Sequence, residues 1–328
     1  MRQPSARKSV QALHDRKLRA APGVWVCFTA DMDDVRENEL TRPDGRIVAW
    51  TEVGSRSGRP VLRIPGTPGS RWSLRADRTP WHERDLWMIT TERPGFGRST
   101  RLPGRGFGEH AADLAAILDH LGIDRAHVTG ASGGAPHVLA FCARHPTRVS
   151  AATVVVGTAP LEDDEIDLMI PHNAQVSRRA ARGDRAGVEE ILEPVREALM
   201  ADPIGAFRSL MEHAPEDDQA IMADPAFQAA TARGLTEALA RGIEGWADED
   251  FAFAHAWEEI DLTAIEASIT WYHAAGDRNC PLSATMRLVD QIPAARLVEW
   301  PDDVGHLYGY RIESEILDEL LARERPLR

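Results

Sequence analysis

Short apolar runs of strand length alternate with segments of helical spacing along most of this chain, and that alternation constrains the fold more than any other feature. The strand-like runs lie at 47–53, 60–64, 85–90, 126–129, 151–156, 269–274 and 296–300. Between them, Glu109 to Leu121 sets Ala112, Leu114, Ala115, Ile117, Leu118 and Leu121 at helical intervals. Strand and helix in alternation give a largely parallel sheet with helices on both faces. The first run, Ile47 to Val53, follows Arg42-Pro43-Asp44-Gly45, whose Asp-Gly pair signals a hairpin.

The alternation stops between residues 160 and 257. There helix formers are punctuated by Pro171, Pro194, Pro203, Pro215 and Pro225, and no strand pattern is visible. The expected α/β architecture is therefore a mostly parallel sheet with helices on both faces, plus a helical cap inserted after the sixth strand. The expected division is an N-terminal extension at 1–35, a core formed by 36–159 and 258–328, and the cap at 160–257. Residues 160–259 hold 23 acidic and 8 basic side chains, a balance of −15 against −13 for the whole chain. The insertion carries essentially all of the acidity.

A length of 328 residues suffices for one sizeable core with an insertion. Mean hydropathy is −0.33, and no apolar run reaches membrane-spanning length. The first twenty residues contain Arg2, Arg7, Lys8, Arg16, Lys17 and Arg19 but lack the apolar centre of a signal peptide, so a cytoplasmic protein is expected. Net charge of −13 argues against a nucleic-acid surface, which needs clustered basic residues. Cys27, Cys142 and Cys280 form no CxxC pair and no zinc-like grouping, and His172, His213 and His255 show no ligand spacing. No cofactor and no metal are expected. Gly104-Arg105-Gly106-Phe107-Gly108 is not a nucleotide loop, because no strand feeds it and the P-loop lysine is missing. Met169, Met200, Met211 and Met222 in the insertion are read as helix core in the main, with some of them able to line an adaptable apolar site.

Gly130-Ala131-Ser132-Gly133-Gly134 follows the strand Ala126 to Thr129 and precedes the helical segment Ala135 to Arg144. This is G-x-S-x-G in a strand-turn-helix context. The sharp turn strains the serine backbone, and a side chain at 130 or 134 would meet neighbouring chain. Ser132 would then stand above the sheet, with the free Gly133 amide able to donate to an oxyanion.

On these residues the chain resembles the α/β-hydrolase superfamily, over roughly 39–160 and 258–320. Pro65-Gly66-Thr67-Pro68-Gly69-Ser70 is similar to that family's oxyanion loop, with Pro65 where a histidine usually stands. Arg93-Pro94-Gly95-Phe96-Gly97-Arg98-Ser99 is similar to its Arg-Pro-Gly-Tyr-Gly-x-Ser turn. Gly276-Asp277 and Gly305-His306 follow strand-like runs where the family carries its acid and its histidine. The chain order Ser132, Asp277, His306 is the family's order.

The resemblance implies ester-type acyl transfer without a cofactor. A serine hydroxyl needs a base, which His306 can supply; Asp277 would orient the imidazole and stabilise its charged form. The amides of Thr67 and Gly133 would form the oxyanion hole. Glu162, Asp163 and Asp164 stand as alternative acids, whereas His110, His120, His127, His137 and His145 are assigned structural or surface roles. The expected substrate is a small ester or lactone, neutral or cationic given the acidic insertion. Two other readings stay open: an aminopeptidase of the proline-iminopeptidase type, whose usual Gly-Gly-Ser-Trp-Gly differs from the motif here, and a non-catalytic ligand-binding protein on the same fold.

Overall fold

A computed structural model describes residues 34–323. The extension's basic start, its apolar stretch at 24–28 and Cys27 lie outside the described residues. One sheet of eight strands organises the molecule: β1 (Arg36–Thr41), β2 (Ile47–Val53), β3 (Arg59–Ile64), β4 (Leu86–Thr91), β5 (Ala126–Ala131), β6 (Val149–Val155), β7 (Ile269–Ala274) and β8 (Ala295–Trp300). Their order across the sheet is β1-β2-β4-β3-β5-β6-β7-β8. β1 with β2 and β2 with β4 are antiparallel, and every other pairing is parallel. The Asp-Gly signal marks the β1–β2 hairpin: Thr41 pairs with Ile47, and Gly45 turns the chain at φ 84°.

Helices α1 (Thr79–His82), α2 (Gly108–Leu121) and α3 (Ala135–Arg144) connect the early strands. Successive strand side chains point to opposite faces, and both faces are buried. On one side Leu62 and Ile89 pack with Leu114 and Ile117 of α2 and Val138 and Phe141 of α3. On the other, Val61 and Met88 pack with Trp81 of α1 and with Leu317 and Leu320 of the last helix. Near-continuous apolar strands are the sequence record of this double coverage. The C-terminus of α2 is set by Gly122 at φ 68°, with the Ile123 amide closing on the Leu118 carbonyl at 2.9 Å.

Between β6 and β7 the chain forms only helices: α4 (Asp163–Ile166), α5 (Pro171–Ala181), α6 (Arg185–Ala201), α7 (Pro203–Leu210), α8 (Glu216–Met222), α9 (Pro225–Ala238), α10 (Glu244–His255) and two single 3₁₀ turns. Then follow α11 (Leu282–Val289), α12 (Tyr308–Arg311) and α13 (Glu313–Ala322). The helical insertion therefore enters after the sixth strand. Its prolines are mostly start signals: Pro171, Pro203 and Pro225 occupy first turns, where a missing N–H costs nothing. Asp184, Asp202 and Asp224 cap α6, α7 and α9 by accepting from the amides of Gly187, Gly205 and Ala226. The insertion has its own apolar centre, in which Val176, Val188, Leu192, Leu239 and Trp246 meet. Among the described residues, no helix is long and apolar enough to cross a membrane.

Candidate active site

The parallel strands deliver their C-terminal ends to one edge, where the loops after β3, β5, β6 and β7 converge. β5 ends at Ala131, and Ser132 takes φ 52° before a 3₁₀ turn leads into α3. A left-handed non-glycine residue costs about 1–3 kcal/mol. Close packing enforces it: a Cβ on Gly130 would lie 2.5 Å from Val138 Cγ2, and one on Gly134 would lie 2.6 Å from the Ile64 carbonyl oxygen. The Ser132 carbonyl is tied to the Thr158 amide at 3.1 Å.

His306 and Asp277 meet in a short hydrogen bond, Nδ1 to Oδ2 at 2.7 Å. The other carboxylate oxygen accepts from the amides of Asn279 (2.8 Å) and Cys280 (3.2 Å). Burial opposes ionisation of Asp277, but the charge and hydrogen bond of His306 outweigh it and bring the carboxyl below its usual range. Burial likewise works against a charged His306. The Asp277 charge and hydrogen bond prevail and hold the imidazole above its ordinary value. Glu162, Asp163 and Asp164 are exposed, and Glu162 caps α4 and pairs with Arg287. The structure thus brings His306 to Asp277 and not to that trio.

The loop Pro65–Gly69 lies over the serine: a Cβ on Gly66 would approach Ser132 Cβ to 3.1 Å, and one on Gly133 would strike Thr67 Oγ1 at 2.2 Å. Thr67 and Gly133 are therefore neighbours beside Ser132. Arg93 grips this loop from beneath, donating to the carbonyls of Pro65 and Gly66 (the latter 2.8 Å) and to Thr67 Oγ1 at 3.1 Å. At Pro65, the position where the resemblance expects a histidine, the backbone carbonyl makes this contact.

Ser132, Gly133, Thr67 and His306 open together onto a cavity of about 280 Å³. Its far wall comes from the insertion and is mostly apolar, including Met169, Val176, Phe207, Trp246, Phe253 and Trp257. Met169 and Met211 line the cavity rather than serving only as helix core, while Met222 is buried in a cluster and Met200 is exposed. Cys280 faces the hydroxyls of Ser132 and Thr158. Burial, and then the Asp277 charge, push its thiol well above the ordinary range. Among the described residues, Asp277, Cys280 and His306 are also the one grouping whose ligand-type atoms, all within 4.8 Å, could hold a metal ion. Asp277 Oδ2 and His306 Nδ1 are already bonded to each other there.

Several residues around this site escaped the sequence reading. Glu249 of α10, fully buried, forms ion pairs with Arg93 (2.8 Å) and Arg105, meets His137 Nε2 at 3.1 Å and accepts from Thr67 Oγ1 at 3.2 Å. Burial raises the cost of its charge, but the two arginines hold the carboxyl well below its usual range. Burial lowers His137 to about 4, so this imidazole is neutral near pH 7. The glycine-rich segment 104–108 serves to deliver Arg105 to Glu249. Asp218 of α8 accepts from the Leu307 amide at 3.1 Å, beside His306. His273 on β7 braces the loop carrying Asp277, with Nε2 donating to the Cys280 carbonyl at 2.8 Å and Nδ1 3.1 Å from Thr285 Oγ1. The insertion's acidity is therefore not only a solvated face, since Asp218, Asp248 and Glu249 are buried with partners. A readable signal existed in and just after α10, where Trp246, Asp250, Phe253 and Trp257 recur every three or four residues.

A family model described as alpha/beta hydrolase fold matches residues 59–308. A non-heme haloperoxidase from Rhodococcus erythropolis is 25% identical over 273 residues, covering 80% of this chain and 90% of that protein. A rhodomycin D methylesterase from Streptomyces sp. (strain C5) is 25% identical over 298 residues, covering 85% and 95%. A solved thermophilic esterase from Thermogutta terrifontis superposes with a TM-score of 0.63 at 20% identity, covering 88% of this chain and 100% of that one. With the model spanning most of the sheet and the whole insertion, the chain belongs to the α/β hydrolase fold family.

Proposed function

We propose that this hydrolase is a cofactor-independent serine esterase or lactonase acting on small molecules through an acyl-enzyme. The observation that carries the reading is the 2.7 Å bond between His306 Nδ1 and Asp277, placed so that His306 and Ser132 open onto the same apolar cavity. His306 Nε2 takes the proton as Ser132 Oγ attacks the substrate carbonyl carbon. Asp277 stabilises the resulting imidazolium, and the amides of Gly133 and Thr67 hold the oxyanion, each contributing about 3 kcal/mol to the transition state. The imidazolium then protonates the departing alkoxide. Water, deprotonated by the same histidine, cleaves the acyl-serine and restores the enzyme.

The methylesterase among the relatives supports ester chemistry. The apolar wall supports a substrate with a substantial hydrocarbon part, and the negative field of the insertion favours neutral or cationic esters over anionic ones. A fluorophosphonate probe tests the reading. Wild type should be labelled and Ser132→Ala should not; a folded wild type that resists the probe would instead fit a binding protein without turnover.

A further inference from the structure

The face of α10 that looks into the cavity is built from Trp246, Asp250 and Phe253, with Trp257 one turn further on. Three of these are aromatic and one is an acid. The two acids just before it are committed elsewhere: Asp248 to Arg101 and Arg185, Glu249 to Arg93 and Arg105. Asp250, in contrast, makes no hydrogen bond and no ion pair among the described residues, and its Oδ2 is buried without a partner. A polar side chain kept unpaired in an apolar wall is costly to the free protein, and a ligand that completes it recovers that cost.

We propose that Asp250 is a specificity-determining residue of the pocket, its carboxyl donating a hydrogen bond to an uncharged oxygen acceptor, such as a ketone, ether or second ester carbonyl, on an otherwise apolar substrate. The deeper reading of the site rests on the hydrolase assignment above only for its kinetic assay. Burial and the adjacent Glu249 charge hold the carboxyl well above its usual range, which favours its protonated form. The other titratable groups lining the cavity do not change this. Burial lowers His172, leaving it neutral; Cys280 is a protonated thiol; and the charge of His306 is matched by Asp277. A protonated carboxyl presents one O–H donor, which one carbonyl oxygen satisfies. An ammonium ligand would bring three N–H donors to a face where Trp246 and Phe253 offer no side-chain acceptor.

The test uses p-nitrophenyl alkanoates with an oxo group walked along the acyl chain, their all-methylene counterparts and their ammonium counterparts. Each is assayed with wild type, Asp250→Asn and Asp250→Leu. At one oxo position wild type should favour the oxo ester over its methylene partner by about tenfold or more in kcat/KM. Asp250→Asn, which retains a donor, should keep that preference, and Asp250→Leu should lose it. Affinities of the matched alkyl amides in Ser132→Ala backgrounds read the same preference without turnover, and fluorophosphonate labelling reports separately whether the hydrolase assignment stands. An oxo preference unchanged in Asp250→Leu overturns the proposal. So does a wild-type preference for the ammonium ester that Asp250→Asn abolishes, since that would make Asp250 an amine-binding carboxylate.

Discussion

Glu249, in the helix that walls the pocket, accepts a 3.2 Å hydrogen bond from the hydroxyl of Thr67, in the loop that lies over Ser132. The same carboxylate pairs with Arg93, which holds the carbonyls of that loop, so the insertion and the loop over Ser132 share one buried anchor. Glu249→Gln leaves Arg93 and Arg105 without their counter-charge and should destabilise the fold by about 3–5 kcal/mol in urea titrations. Because folding lowers this carboxyl, its contribution is complete above its unfolded value of 4.5 and is lost as pH falls through the lower folded value. Stability of the variant should therefore depend less on pH in that acidic range. Thr67→Val, which keeps the backbone amide and removes the hydroxyl, should lower kcat more than it raises KM.

Asp218 holds the histidine loop from the insertion side through the Leu307 amide. Asp218→Ala leaves this amide without its acceptor, at a cost of about 1–3 kcal/mol. We expect kcat to fall about tenfold or more, with the fluorophosphonate rate falling in parallel because the base is misplaced. Unchanged labelling would reduce Asp218 to a purely structural contact.

The proposed mechanism needs His306 neutral, and its pKa is raised by Asp277. The acid limb of kcat/KM should therefore have its midpoint above the ordinary histidine value of 6.5, with activity rising as pH passes through it. The stability contribution runs the other way: it is present below 6.5 and is lost as pH rises through the folded value. Asp277→Asn should move the midpoint down and cut kcat by about 10⁴. Near wild-type turnover in that variant would transfer the acid's role to Glu162, Asp163 or Asp164.

Charge in the insertion sets a preference that salt should weaken. Arg178, Arg179 and Arg182 line a groove on the surface rather than the catalytic cavity, and the first two pair with Asp167 and Asp184. Size-matched neutral and cationic esters should exceed a carboxylate-bearing ester in kcat/KM at low salt, and the gap should narrow as salt rises. A carboxylate preference at low salt would contradict this reading of the field.

The parallel sheet, the hairpin at Asp44-Gly45 and the turn at Ser132 were legible because each depends on local patterns: apolar runs, a turn dipeptide, glycines at fixed spacing. The contacts that join the insertion to the core were not. Glu249, Asp248 and Asp218 look in the sequence like ordinary members of an acidic, solvent-facing set. The partners of Glu249 and Asp248, namely Arg93, Arg105 and Arg101, lie about 150 residues away in the chain, and Asp218 meets the distant Leu307 amide, so nothing local marks the pairs. Val156, a β-branched residue at φ 46° just after β6, is equally unreadable, since nothing local in the sequence marks a left-handed valine. The pocket face of α10 was within reach, since an acid inside a stripe of aromatics departs from the usual division into apolar and polar faces.

The proposed mechanism turns on an acyl group carried by Ser132. Wild type and Ser132→Ala are mixed with a p-nitrophenyl ester, quenched with acid during turnover, digested and mapped by mass spectrometry. The account predicts a burst of p-nitrophenol in wild type and an acyl mass on the peptide containing Ser132, with neither in the folded variant. Sustained turnover by Ser132→Ala, or an acyl mass on another residue of the wild type, would contradict it.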